Sequence, residues 1–239
     1  MNEKQNNPFK NLLVNKLGIK DLALTLIESR KELLLTYFNQ HCFNLWYRNN
    51  NYRDILENEF KYYLDGFGIW LAVKLFKKTK TKPFNASEIN DELFIEFTQR
   101  QIPLIIIGGN FTQAVFSNKE LNIELYINGY EDIRDFENVL MKISKSKSKV
   151  IIIGMGVPLQ EELAFHISQM TPGLQIICVG NFLEFYFGTI KRAPIIFHNS
   201  GFEWLFRLLT EPKKLWRRYL LGIPIFIFRL FKMKLTKQS

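Results

Sequence analysis

The chain has 239 residues, 47% of them hydrophobic, with 32 Lys or Arg against 23 Asp or Glu and a net charge of +9. That is enough apolar material for one substantial core with an appendage, and it excludes a disordered chain. Cys42 and Cys178 are far apart and only three histidines accompany them, so neither a disulfide framework nor a zinc site is indicated and a reducing, cytosolic setting is expected. The charge is uneven: Thr189 to Ser239 holds eleven Lys or Arg and only Glu203 and Glu211, which leaves Met1 to Gly188 neutral. A neutral body with a cationic, aromatic tail calls for a polyanionic partner, whether nucleic acid, an anionic membrane surface or a diphosphate.

In chain order, the N-terminus has no apolar run behind its charges and no small-residue cleavage site, so no signal peptide is expected. Apolar, largely β-branched runs at Leu33 to Phe38, Ile102 to Ile107, Ile123 to Ile127, Val150 to Gly154 and Leu174 to Gly180 read as strands. Helical stretches lie between them at Ile69 to Phe76, Ile89 to Thr98 and Asp132 to Ile143, and Pro158 opens another with Pro at its first position. This alternation predicts an α/β fold, a Rossmann-like, mostly parallel sheet with helices on both faces. After Gly188 the strand-like runs stop, and Gly201 to Leu209, Pro212 to Leu221 and Pro224 to Lys234 read as short helices. The expected division is therefore a body over 1–188 and a basic helical appendage over 189–239. Leu220 to Phe231 is interrupted by Gly222, Pro224 and Arg229 and falls short of the roughly 20 residues that span a bilayer, so it is expected to lie on a membrane and not cross it.

Ligands of open parallel sheets bind beyond the carboxyl ends of the strands. In Tyr63-Leu64-Asp65-Gly66-Phe67-Gly68, Asp65 follows a short aromatic run, and its carboxylate either caps the next helix or its turn or acts as a general base. Ile153 to Glu161 runs a strand into Gly154 and Gly156, then into a helix start at Pro158 with Gln160 and Glu161 behind it. Such a turn either admits a phosphate to the helix N-terminus or is only a tight connection, and it matches neither the GxGxxG nor the Walker pattern. Gly108-Gly109 repeats the idea after an earlier strand. In the tail, Lys191-Arg192-Ala193-Pro194 precedes Glu203 to Tyr219, where guanidinium groups suit phosphates and Trp216 and Tyr219 suit lipid headgroups. Nucleic-acid binding would need aromatic platforms or a groove-reading helix in the body, and the sequence has neither.

These segments together resemble the WecG/TagA/CpsF glycosyltransferases, glycosyltransferase family 26, in order from about Leu33 to Phe231. Leu64 to Gly68 matches the family's Asp-Gly segment, Gly154 to Glu161 its G-x-G-x-P-x-Gln-Glu segment, Lys191 to Pro194 its Lys-Arg-Ala-Pro segment, and Glu203 to Tyr219 its Glu-Trp-Leu-aromatic-Arg-Leu segment with the Glu-Pro and Arg-Arg-Tyr that follow. The resemblance implies an inverting transfer of a hexose-type sugar from a UDP donor to a polyprenyl-diphosphate-linked sugar, by a peripheral enzyme on the inner face of a bacterial membrane that needs neither metal nor other cofactor. It assigns the general base to Asp65 and a substrate-site role to Gln160. Asn39, through the loose match of Thr36 to Asn39, joins the substrate site with Asn85, Gly108, Gly109, Gly154, Gly156, Pro158, Glu161, Glu184 and Arg192. Arg207, Lys214 and Arg217 are expected at the diphosphate, and Arg218, Arg229, Lys232 and Lys234 at the membrane beside Trp216, Tyr219 and the 226–231 helix. A homo-oligomer is compatible with this reading. Two departures stand out: Pro83-Phe84-Asn85-Ala86-Ser87-Glu88 replaces Arg-x-Thr-Gly-Ser-Asp, and Glu184 stands where an Asp is usual. Donor identity is therefore not carried over, and a degenerate relative that binds without turnover is the alternative.

Overall fold

The computed structural model describes residues 8–13, 19–28, 31–77, 86–117, 119–190 and 203–236. Six strands, β1 (Leu33–Phe38), β2 (Phe60–Leu64), β3 (Leu104–Gly108), β4 (Ile123–Ile127), β5 (Val150–Gly154) and β6 (Gln175–Cys178), form one parallel sheet in the order β2-β1-β6-β5-β3-β4. The runs Leu-Ile-Ile-Ile of β3 and Val-Ile-Ile-Ile of β5 are buried throughout, as strands covered on both faces must be. The edges are more polar: Lys61 is exposed on β2, and most of β4 is only half-buried. Leu12 bridges Tyr62, and the Tyr62 hydroxyl donates to the Pro8 carbonyl at 2.6 Å, so residues 8–13 cover the β2 edge.

The helices of the body are α1 (Ile19–Glu28), α2 (Gln40–Arg48), α3 (Asn50–Glu59), α4 (Phe67–Lys77), α5 (Ala86–Gln99), α6 (Gln113–Ser117), α7 (Phe136–Lys145), α8 (Leu159–Met170) and α9 (Phe182–Tyr186). α1 packs on α5, and α8 lies against α3 and the central strands. Asp132–Arg134 is a single 3-10 turn, so the predicted helix over 132–143 starts four residues later, at Phe136, where Asp135 accepts from the Asn138 N–H as its cap.

The appendage contributes α10 (Glu203–Thr210), α11 (Pro212–Trp216) and α12 (Gly222–Thr236), the last two joined by a π-helical turn over Arg217–Leu221. It packs onto the body's own core. Phe226 is buried and meets Phe43 edge-on with centroids 5.1 Å apart, and Asn44 Nδ2 donates to the Gly222 carbonyl at 2.7 Å. Arg229, expected at the membrane, instead donates from Nη1 to the Asn44 carbonyl at 2.9 Å and to Asn44 Oδ1 at 3.0 Å while its guanidinium lies over the Tyr47 ring. Among the described residues no helix is long and apolar enough to cross a membrane.

Candidate active site

Parallel pairing of β1 with β2 sets Phe38 opposite Leu64, so the next residues of each strand, Asn39 and Asp65, emerge side by side at the carboxyl edge of the sheet. Asn39 is buried, and its Oδ1 accepts from the His41 and Cys42 N–H groups at the start of α2, at 3.0 and 3.1 Å. That bond fixes the amide's orientation, so Nδ2 faces Asp65 and donates to Oδ2 at 3.0 Å. Asp65 Oδ1 accepts from the Ala86 N–H at 3.2 Å. The carboxylate thus does cap a helix, but that helix is α5 and not α4, whose start it precedes. Each oxygen keeps a further acceptor site, so capping and proton acceptance coexist in one residue. Gly66, at φ +87°, makes the turn from Asp65 into α4 in a conformation that few residues other than Gly adopt.

Asp65 opens onto a cavity of about 720 Å³ at the carboxyl ends of β1, β2 and β6. The sheet supplies Tyr37, Asn39 and Asp65, α4 supplies one wall, and the appendage supplies the other together with Arg207, Arg218 and Lys234. Arg207 stacks its guanidinium over Phe185, at 5.6 Å from the ring centroid. Arg218 Nε is buried with no hydrogen-bond partner among the described residues. Arg217 is exposed, lies over Trp216 and is not on the cavity wall. The sequence predicts an unbroken α-helix through Leu221, but Gly222 N–H reaches back to the Arg217 carbonyl across a wide turn, and the cavity receives Arg218 in place of its neighbour. Lys214 sits on α11, with its side chain outside the described residues; Asn85 and Arg192 lie outside them altogether.

The glycine turns are placed differently. A Cβ on Gly108 would lie 2.4 Å from the Gly154 carbonyl oxygen, one on Gly109 2.4 Å from the Phe111 ring, and one on Gly154 2.6 Å from Leu183. These three let strand ends, loop and α9 pack closely. Gly156, at φ +80°, meets nothing within 4 Å and is the open position of the group, just before Pro158 and the start of α8. Pro158 takes the cap position of α8 in place of the predicted first helical one. Gln160 is fully buried: its Oε1 accepts from Gly180 N–H at 3.0 Å and Gly156 N–H at 3.3 Å, and its Nε2 donates to Glu161 Oε1 at 2.8 Å. It ties the β5–α8 turn to the β6–α9 turn and is not on the cavity wall. Glu184, on α9, is also off that wall, and its carbonyl accepts from Thr189 N–H at 2.9 Å.

Glu161 is buried beneath these turns. Its Oε1 accepts from the Thr36 hydroxyl at 2.6 Å, and its Oε2 has no partner among the described residues. Burial pushes its carboxyl up to about 7, against the opposing bonds from Gln160 and Thr36. The folded protein therefore holds a proton there that the unfolded chain releases at its ordinary value near 4.5, and this contribution to stability is lost as pH rises from that value through 7. His41, lowered to about 4 first by burial and then by Arg218 and Arg48, acts in the opposite sense over part of the same range. Comparison with Glu161→Gln isolates the carboxyl: relative to the wild type, the variant should gain about 3 kcal/mol between pH 4.5 and pH 8 in denaturant unfolding. Parallel stability curves for the two proteins would refute the buried, raised carboxyl.

A parallel sheet with an oriented carboxylate at its carboxyl edge, and cations folded over that edge from a C-terminal appendage, makes this cavity the candidate ligand site of an α/β fold. The chain belongs to the glycosyl transferase WecG/TagA/CpsF family, whose sequence profile matches residues 7–239. Among relatives, the N-acetylglucosaminyldiphosphoundecaprenol N-acetyl-beta-D-mannosaminyltransferase of Staphylococcus aureus strain MRSA252 is 28% identical over 214 residues, covering 87% of this chain and 83% of its own. The protein of the same name from strain NCTC 8325 / PS 47 is 28% identical over 213 residues with the same coverage.

Proposed function

We propose that the protein transfers a hexose-type sugar related to N-acetylmannosamine from a UDP donor to a sugar joined through diphosphate to a polyprenol, with inversion, in building a cell-surface polysaccharide or teichoic acid. The relatives' names supply the acceptor and sugar classes, and the observation that carries the reading to this chain is Asp65, held by Asn39 on the wall of a cavity that two arginines also line. Asp65 takes the proton of the acceptor hydroxyl as that oxygen bonds to the anomeric carbon, while the carbon–oxygen bond to UDP breaks and its electrons leave with the diphosphate. The donor's diphosphate approaches the open Gly156 turn and the N-terminus of α8.

The enzyme works at the inner face of the membrane without spanning it. Ile225, Phe228 and Trp216 are exposed on the appendage, and each Lys or Arg near an anionic surface adds roughly 1 kcal/mol of attachment. Mass spectrometry of products from a panel of UDP-sugars and polyprenyl-diphosphate-linked acceptors tests the reading. A product heavier than the acceptor by one hexose-type residue, with release of UDP, is expected; donor binding without any product across the panel would favour a non-catalytic relative.

A further inference from the structure

Gln160 and Glu161 lie side by side in the first turn of α8, both fully buried. Gln160 Oε1 takes the N–H groups of Gly156 and Gly180, which fixes the amide and aims Nε2 at Glu161 Oε1, 2.8 Å away. The Gly156 turn is the open one, proposed to receive the donor's diphosphate. The Gly180 turn leads into Asn181 and Phe182, both on the wall of the cavity that holds Asp65. One amide therefore ties the two halves of the site together, and the acid behind it orients that amide.

The bonds to Glu161 are one-sided. Oε1 accepts from both Gln160 Nε2 and the Thr36 hydroxyl, at 2.8 and 2.6 Å, while Oε2 is buried with no partner among the described residues. A carboxylate has two equivalent, strongly accepting oxygens, and leaving one dry and unbonded is costly. A neutral acid has one carbonyl oxygen that accepts and one hydroxyl oxygen that needs no donor, and the arrangement here is that of the acid. Its proton needs an acceptor. The Tyr52 hydroxyl, buried, unpartnered and close enough to feel the charge of Glu161, is a free oxygen on α3, which packs against α8. The groups facing Glu161 bring no countercharge: burial holds Tyr37 of β1, Cys42 of α2, Tyr52 of α3 and Cys178 of β6 in their neutral forms, and Glu162 beside it on α8 adds a like charge. Arg218 and Asp65, on the cavity side, act on Tyr37 and Cys42 with opposite signs.

We propose that Glu161, as the neutral acid, is a positioning residue for the donor: it holds Gln160, and through it the Gly156 and Gly180 turns, in the binding arrangement, and releases them when it ionises. This rests on the donor placement at the Gly156 turn. Losing the proton leaves a charge on Oε2 that only water can satisfy, and water reaches it when the first turn of α8 moves outward. That turn carries Gln160, so the clamp opens with it. Burial brings the carboxyl up to about 7, which puts the change of form inside the ordinary working range. Donor binding to the closed turns favours the protonated acid, so donor affinity is full below that value and falls as pH rises through it.

The test follows amide hydrogen exchange at Gly156 and Gly180, corrected for the intrinsic rate, and binding of UDP. Between pH 6 and 8.5 the two glycines of the wild type should lose protection by about tenfold or more relative to the amides of β3 and β5, and UDP affinity should fall about tenfold from pH 7 to 8.5. Glu161→Gln keeps the accepting oxygen and cannot ionise, so both slopes should vanish in it, and comparison with it cancels any titration of UDP itself. Thr36→Val removes a donor that favours the ionised form, so the transition should move to higher pH. Glycine protection that is flat with pH in the wild type, or that falls equally in Glu161→Gln, overturns the proposal; a merely structural Glu161 gives that result. A Thr36→Val transition that stays in place overturns the assignment of the slope to this carboxyl. Glycines that respond to pH while UDP binds equally well at pH 7 and 8.5 overturn the link to the donor. A protein that keeps the pH-dependent clamp but binds no UDP at any pH would overturn the proposed donor and leave the clamp standing.

Discussion

Replacing Asp65 by Asn should lower UDP release with a lipid-linked acceptor by about 10² to 10⁴-fold while donor binding persists, because proton transfer by a positioned side chain supplies about that much rate. The geometry also fixes the structural side effect. Asp65 accepts from two donors, Asn39 Nδ2 and the Ala86 N–H, and an asparagine has one acceptor oxygen to offer them. One donor is then left facing an amide N–H, at a cost of about 1–3 kcal/mol, so the melting temperature should fall modestly without loss of the fold. The two effects separate by measurement: circular dichroism and donor binding report the scaffold, and UDP release reports the base. Undiminished turnover in a folded Asp65→Asn protein would remove Asp65 from the chemistry and leave it a cap of α5.

Deleting residues 203–239 should abolish turnover even with a water-soluble acceptor, and should also end attachment to anionic vesicles. The cavity loses Arg207, Arg218 and the α12 wall together, which leaves no cation among the described residues on its wall. Stability falls as well. Phe226 leaves Phe43 exposed, a loss of about 1.5–3 kcal/mol for a large buried side chain, and Asn44 gives up its bonds to Gly222 and Arg229. Thermal unfolding, vesicle sedimentation and UDP release on the truncated chain check the three consequences. A truncated protein that turns over a soluble acceptor at the full rate would show that the body's site is complete without the appendage.

Strands with strong β-branched runs were legible to within a residue or two. β1, β4 and β5 have their predicted bounds; β3 starts at Leu104, two residues late, because Pro103 has no N–H to give the ladder. β2 was missed as a strand. Its sequence, Phe-Lys-Tyr-Tyr-Leu, has no β-branched residue, and it sits at the sheet edge with Lys61 exposed, so neither the composition nor a continuous apolar run announces it. The consequence for the site is direct, since β2 is the strand that carries Asp65 to the side of Asn39.

Residue types and their local order therefore determined the parallel α/β class, the neutral body with a cationic tail, and the acid after an aromatic run. Those are properties of short windows, and hydrophobic period, turn residues and charge are read there. What only the tertiary structure decided is which of these residues meet. Pairing of β1 with β2 gave Asp65 its partner, close packing of the turns made Gly108 and Gly154 spacers and Gln160 a clamp, and the wide turn over Arg217–Leu221 brought Arg218 to the cavity with Arg217 outside it. The tail's charge was visible from the start as a demand for a polyanion. Its division among a clamp on Asn44, a cavity wall and an outer face arises from contacts between residues nearly two hundred positions apart, and no local pattern encodes such contacts.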